Sequence, residues 1–175
     1  MATIRKSRAA DLPAMLAIIN AAAQAYRGVI PADCWHEPYM PAEELGAQIV
    51  DGITFWVAEE NARPLGVMGI QDKGEVALVR HAYVKPSAQK KGVGTQLLHH
   101  VEGLAQKPVL IGTWAAASWA IEFYRRNGFT VVPKADKDAL LQKYWSIPAR
   151  QAETSVVLAD ARWMLTAPPT SRHPG

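Results

Sequence analysis

The sequence predicts a single-domain α/β (α+β) protein, and three observations carry that prediction. Three runs of strand composition, Ile53 to Glu59, Leu65 to Gln71 and Glu75 to Val84, are separated by Asn61-Ala62-Arg63-Pro64 and Asp72-Lys73-Gly74. Strong turn chemistry between such runs is the pattern of an antiparallel meander. Directly after them, Val93, Leu97, Leu98, Val101, Leu104 and Ala105 recur at helical spacing and mark one helix face. A length of 175 residues, with 49% apolar and 20% charged side chains, suffices for one substantial core and does not demand two.

In chain order, a strand at Thr3 to Lys6 precedes a helix from about Ala10 to Ala25. Tyr26 to Met40 is a loop rich in aromatic and turn residues. Pro41 to Val50 reads as a helix, with proline at its start where a missing N–H costs nothing. The meander and the helix from Gly92 to Ala105 follow, then a strand at Val109 to Thr113. Ser118 to Asn127 is the next helix, with Ser118 as its N-cap and Asn127-Gly128 as its stop. Asp138 to Trp145 reads as a short helix, and Thr154 to Leu158 as the closing strand. Thr166 to Gly175 holds three prolines and no core-forming run. The domain is therefore expected over 1–165, with a flexible tail at 166–175.

The chemistry starts at Gln89-Lys90-Lys91-Gly92-Val93-Gly94, set between a strand and a helix. The glycines let a backbone approach a ligand closely, and the loop opens onto a helix N-terminus. Free N–H groups and the positive dipole end there bind phosphate, and Lys85, Lys90 and Lys91 crowd the same turn. A pyrophosphate grip is expected. A nucleotide P-loop would need Gly-x-x-x-x-Gly-Lys-Ser/Thr, which the sequence lacks. A dinucleotide fingerprint would need a third glycine where Leu97 stands.

The remaining pattern, Gln-x-x-Gly-x-Gly, resembles the loop with which GNAT acetyltransferases hold the pyrophosphate of acetyl-coenzyme A. The resemblance extends over most of the chain. Thr3-Ile4-Arg5-Lys6 with Ala9-Ala10-Asp11-Leu12-Pro13 is similar to the family's opening strand and first helix, and Ala82-Tyr83-Val84-Lys85-Pro86 to the end of its central strand. Ala120-Ile121-Glu122-Phe123-Tyr124-Arg125-Arg126-Asn127-Gly128-Phe129 resembles its late helix, with the aromatic-tyrosine pair and terminal Gly-Phe. The fold this implies is a central mixed, mostly antiparallel sheet flanked by helices.

The implied activity is N-acetyl transfer from acetyl-coenzyme A to a primary amine by direct attack in a ternary complex. The implied cofactor-binding residues are Tyr83, Val84, Gln89, Lys90, Lys91, Gly92, Val93, Gly94, Thr95 and Ser118. Backbone groups at Tyr83 and Val84 would pair with the pantetheine arm and polarise the carbonyl. Tyr124 sits where the family's tyrosine contacts the coenzyme sulfur and is the expected general acid. A phenol near ~10 and a thiol near ~8.5 make that proton transfer nearly balanced. Many family members carry an Asn where this chain has Ala117, so one coenzyme contact is missing or taken over by Ser118.

For the base, Val76-Ala77-Leu78-Val79 offers no carboxylate of the kind lysine-acetylating relatives carry in the central strand. His81, expected on the face of Val79 and Tyr83, and Glu75, at the strand's start, are the two candidates. The alternative for His81 is a structural hydrogen-bonded histidine. Arg80, expected on the other face, reads as an ion-pair partner. A missing base favours amines of low pKa, such as an α-amine near ~8, or a water relay. The substrate pocket is expected from the Tyr26 to Met40 loop. Tyr26, Trp35, His36 and Tyr39 would supply aromatic walls and Glu37 a carboxylate for a cationic amine.

A net charge of +3, spread along the chain without a recognition-helix or aromatic RNA-binding signature, gives no nucleic-acid partner. No leader and no apolar run of bilayer length is visible, and the single cysteine, Cys34, fits a reducing cytoplasm. No metal is expected, since only His36 stands near Cys34. The partners expected are a small-molecule or peptide amine and, through the C-terminal strands, a second copy. Two further readings stay open: an acetyl-coenzyme A sensor without catalysis, and an acyltransferase with another acyl chain or an oxygen acceptor.

Overall fold

The computed structural model describes residues 2–166. Its seven strands are ordered β1-β2-β3-β4-β5-β7-β6 in one mixed, mostly antiparallel sheet flanked by helices, the expected class. Residue contacts gather into two compact units, Met1–Asp72 with Val79–Gln106, and Lys73–Leu78 with Lys107–Gly175.

In the first unit, β1 (Thr3–Lys6) pairs antiparallel with β2 (Ile53–Glu60), which pairs with β3 (Arg63–Asp72). The β2–β3 turn is tighter than the sequence suggests. Glu60 opposes Arg63, leaving only Asn61 and Ala62 between the strands, at φ 51° and 61°. Two left-handed residues in a two-residue hairpin make a type I′ turn, whose twist matches the strands. Alternation along β2 turns Ile53, Phe55 and Val57 to one face, where they bury with Met15, Ile18 and Ile19 of α1 (Leu12–Ala23) and Leu45 of α2 (Ala42–Val50). The helix expected over residues 10–25 is α1 with a 3₁₀ turn at each end, Ala9–Asp11 and Gln24–Tyr26. Asp11 fixes the start of α1. It accepts two hydrogen bonds from the Arg5 guanidinium, at 2.8 and 2.9 Å, and one from the Arg8 N–H at 2.6 Å. Those bonds, Arg5 first, lower its carboxyl to about 2. The unit continues with β4 (Ala77–Val84), from Val79 onward, and α3 (Val93–Ala105), which buries Val93, Leu97, Leu98 and Val101.

In the second unit, β7 (Ser155–Ala159) pairs antiparallel with β5 (Val109–Trp114) on one side and β6 (Thr130–Val131) on the other. Leu110 and Val157 of these strands share a core with Leu140, Leu141 and Tyr144 of α5 (Lys134–Tyr144). Trp163 and Met164 of α7 (Ala161–Thr166) pack against it. Helix α4 (Ser118–Arg126) ends in a motif that accounts for the Asn-Gly-Phe sequence. Gly128 is left-handed at φ 91°, its N–H donates to the Arg125 carbonyl, and the Phe129 N–H donates to the Tyr124 carbonyl. This is a Schellman stop, and the rings of Phe129 and Tyr124, 6.1 Å apart, make its hydrophobic contact.

Several boundaries differ from expectation. β4 starts at Ala77, leaving Glu75 outside the strand, and α5 starts at Lys134, four residues before Asp138. Ala117, not Ser118, is the N-cap of α4, and no side chain caps it. Ser118 is already helical, because a cap must lie at the non-helical residue before the first turn, here Ala117 at φ −82° and ψ 68°. The short elements β6, α6 (Ala149–Glu153) and α7 were not legible. The expected tail at 166–175 falls, beyond Thr166, outside the described residues.

The Asn61–Ala62 turn generates a prediction. An alanine in the left-handed region costs about 1 kcal/mol that glycine avoids. Ala62→Gly should therefore raise unfolding stability by about 0.5–1 kcal/mol in urea titration, while Asn61→Val should lower it.

Candidate functional site

In the first unit the chain leaves β4 through a 3₁₀ turn, Pro86–Ala88, and enters α3 by a left-handed bend. Lys90 has φ 64° and Gly92, the N-cap of α3, has φ 83°. A side chain at Gly92 would meet only open space, so glycine is needed there for conformation and not for room. The first α-helical bond in from the cap is from the Gln96 N–H to the Gly92 carbonyl, at 3.0 Å. The N–H groups of Val93, Gly94 and Thr95 precede it and have no acceptor within the helix. With Lys90 and Lys91 exposed beside them, these amides make a concave positive end suited to a diphosphate. The Gln89 amide donates to the Val84 carbonyl at 3.1 Å, tying the loop to the end of β4. The structure thus brings Val84 and Gln89 through Thr95 together.

The same unit holds the aromatic loop. Tyr26 lies 5.5 Å from Tyr39 and 6.3 Å, edge-on, from Tyr83. Trp35 and His36 stack on Tyr39 at 5.8 and 6.2 Å. Burial first, and then Tyr26 and Tyr39, hold the Tyr83 phenol well above the usual tyrosine range. The loop is pinned at its end by Asn20, whose side chain donates to the Met40 carbonyl at 3.0 Å and accepts from the Met40 N–H at 2.7 Å. Asn20 was missed in the sequence; its only signal is a polar residue closing the apolar Met15–Ile19 run of α1. Glu37, expected to receive a cationic amine, instead faces Arg27 at 3.6 Å, with both side chains exposed.

His81 interrupts β4 with φ 55°, and strict alternation fails there. Arg80 donates to the Gln71 side chain at 3.1 Å, and His81 stacks on Phe55 at 6.1 Å. Phe55 opposes Gly69 and Ile53 opposes Gln71, so Phe55 and Gln71 share one sheet face. Arg80 and His81 therefore lie on the same face, correcting the expectation that they diverge. Burial, with Arg80 adding to it, pushes the His81 imidazole down to about 3. Its Nε2 is buried without a hydrogen-bond partner among the described residues. Such a ring is neutral and weakly basic near pH 7.

The remaining expected residues lie in the second unit. Tyr124 is buried in α4, its ring against Phe123 at 5.2 Å. Ser118 is exposed in the first turn of that helix. Glu75 accepts from the Tyr144 hydroxyl at 2.6 Å and from Lys143 at 2.9 Å. Those two bonds, Tyr144 first, hold its carboxyl below the usual range. It is a weaker base than a free carboxylate. Among the described residues no three His, Cys, Asp or Glu side chains gather as a metal site, and no helix is long and apolar enough to cross a membrane.

The His81 environment fixes a pH dependence. The unfolded imidazole takes up a proton near 6.5, whereas the folded one resists until about 3. The stabilisation is thus complete above 6.5 and lost as pH falls through that window. Unfolding free energy, measured in urea between pH 8 and pH 5, should drop on acidification, and His81→Gln should flatten the drop.

Comparison with known proteins places this geometry. Residues 51–131 match the acetyltransferase (GNAT) domain family. An uncharacterised N-acetyltransferase of Methanocaldococcus jannaschii is 31% identical over 86 residues, a match covering 43% of this chain and 38% of that protein. In fold, the chain is similar to the PaiA N-acetyltransferase of Thermoplasma acidophilum, solved in complex with coenzyme A. The TM-score is 0.70 at 20% identity, over 91% of this chain and 98% of that one. It is also similar to the ribosomal-protein-S18-alanine N-acetyltransferase of Escherichia coli, with TM-score 0.64 at 18% identity, over 91% and 93% of the two chains. The match to the acetyltransferase (GNAT) domain family thus covers a little under half of the chain, and the fold is similar to that of these acetyltransferases over 91% of it.

Proposed function

We propose that the protein transfers an acetyl group from acetyl-coenzyme A to a primary amine, by direct attack in a ternary complex. The observation that carries the reading is the left-handed entry into α3, with Gly92 at φ 83° ahead of three amides that have no helical acceptor. In this reading the N–H groups of Val93, Gly94 and Thr95 hold the diphosphate, with Lys90 and Lys91 neutralising its charge. Backbone groups of Tyr83 and Val84 pair with the pantetheine arm and polarise the thioester carbonyl.

The amine nitrogen attacks the thioester carbon, a C–N bond forms and the C–S bond breaks. The departing thiolate takes its proton from Tyr124, since a phenol and a thiol are acids of comparable strength in general. The proton lost by the amine goes to solvent. Neither His81, neutral down to about 3, nor Glu75, held by Tyr144 and Lys143, is assigned as its acceptor. The acceptor is accordingly an amine that is partly neutral near pH 7, such as an α-amine near ~8, in preference to a lysine side chain near ~10.4. Tyr26, Trp35 and Tyr39 form its pocket, with Glu37 and Arg27 at the rim. The acetyltransferase is taken to span residues 1–165.

Calorimetric titration with acetyl-coenzyme A tests the grip, with ATP and NAD as controls. Selective binding that Gly92→Val weakens is the expected result, since a β-branched residue is strained at that φ. Equal binding of ATP would contradict it. In an acetylation assay over a panel of α-amines, Tyr124→Phe should lower kcat by roughly 10²-fold with coenzyme binding kept. Binding without turnover in the parent protein would favour a sensor.

A further inference from the structure

We propose that the outer face of α4 is a docking surface for a second copy of this chain, joined antiparallel about a two-fold axis between Glu122 and Arg125. While the inner face of α4 buries Tyr124, the outer face carries Trp119, Glu122 and Arg125, all exposed. These line an open groove of about 650 Å³, whose far wall is Val131 of β6 and Val156 of β7. Trp119 is 44% exposed, a large aromatic surface of the residue type that interfaces use as anchors. The groove also adjoins the edge of the sheet, because β6 is the last strand in its order.

Charge selects the occupant. The groove carries one carboxylate and one guanidinium, a helical turn apart, and among the described residues neither makes an ion pair, with the other or elsewhere. A lining with one charge of each sign has no net preference for an acidic or a basic ligand. It is matched by a surface bearing the same two charges in reverse order. An antiparallel second copy of α4 supplies that surface, setting Glu122 against Arg125 of the second copy and Arg125 against Glu122, twice over. Each Trp119 indole then has an apolar wall to cover, formed by Val131 and Val156.

Sedimentation velocity of the full chain over a wide concentration range tests the surface. A monomer–dimer equilibrium is expected, weakened ~10-fold or more by Glu122→Arg or by Arg125→Glu alone, since each sets like charges opposite one another. The double reversal E122R/R125E restores complementarity and should restore dimerisation. Trp119→Ala should weaken it without changing the circular dichroism of the monomer. A wild-type chain that stays monomeric throughout would overturn the proposal. So would single reversals that leave the equilibrium unmoved, or a double reversal that fails to rescue. The inference does not depend on the acetyl-transfer reading: dimerisation is read without coenzyme, and loss of either result leaves the other standing.

Discussion

A helix can hold an anion at its N-terminus only if the chain arrives from a direction that leaves the first amides uncovered. At α3 that constraint is met by left-handed backbone at Lys90 and Gly92, at φ 64° and 83°. Glycine at 92 removes the steric cost at one of the two positions, while Lys90 bears it, of the order of 1 kcal/mol. The Gln89–Val84 hydrogen bond then fixes where the bend begins relative to β4. Dipole, amides and lysines act together only because this turn has that shape.

The second theme is how little of the first unit's polar chemistry is basic. The bulge at His81 turns two successive side chains onto one face, but one of them, Arg80, is committed to Gln71 and the other is buried to the point of neutrality. Beside Tyr26 and Tyr39, burial keeps the Tyr83 phenol protonated. In the proposed reading no side chain of this unit takes the amine's proton, which is the physical reason for an acceptor of low pKa.

Much of this was legible in the sequence because it rests on local rules. Period-two alternation located the meander, period 3.6 located α3, and Asn127-Gly128-Phe129 announced the end of α4 before its Schellman bonds were seen. What escaped has identifiable causes. A bulge adds a residue that alternation counting cannot detect, so Arg80 was set on the wrong face. The pairing of Glu37 with Arg27, and of Glu75 with Tyr144 and Lys143, depends on tertiary neighbours that spacing does not encode. The two-residue strand β6 and the five-residue helix α6 are too short to show a period. Ser118 reads as a cap on residue type alone, although the non-helical residue at that corner is Ala117.

The central claim is that the amides at the head of α3 receive the diphosphate, and backbone ¹H–¹⁵N spectra measure it residue by residue. On titration with coenzyme A, the signals of Val93, Gly94 and Thr95 should move furthest, and pantetheine, which lacks the diphosphate, should leave them in place. Saturable binding of coenzyme A with those three amides unmoved would contradict the account.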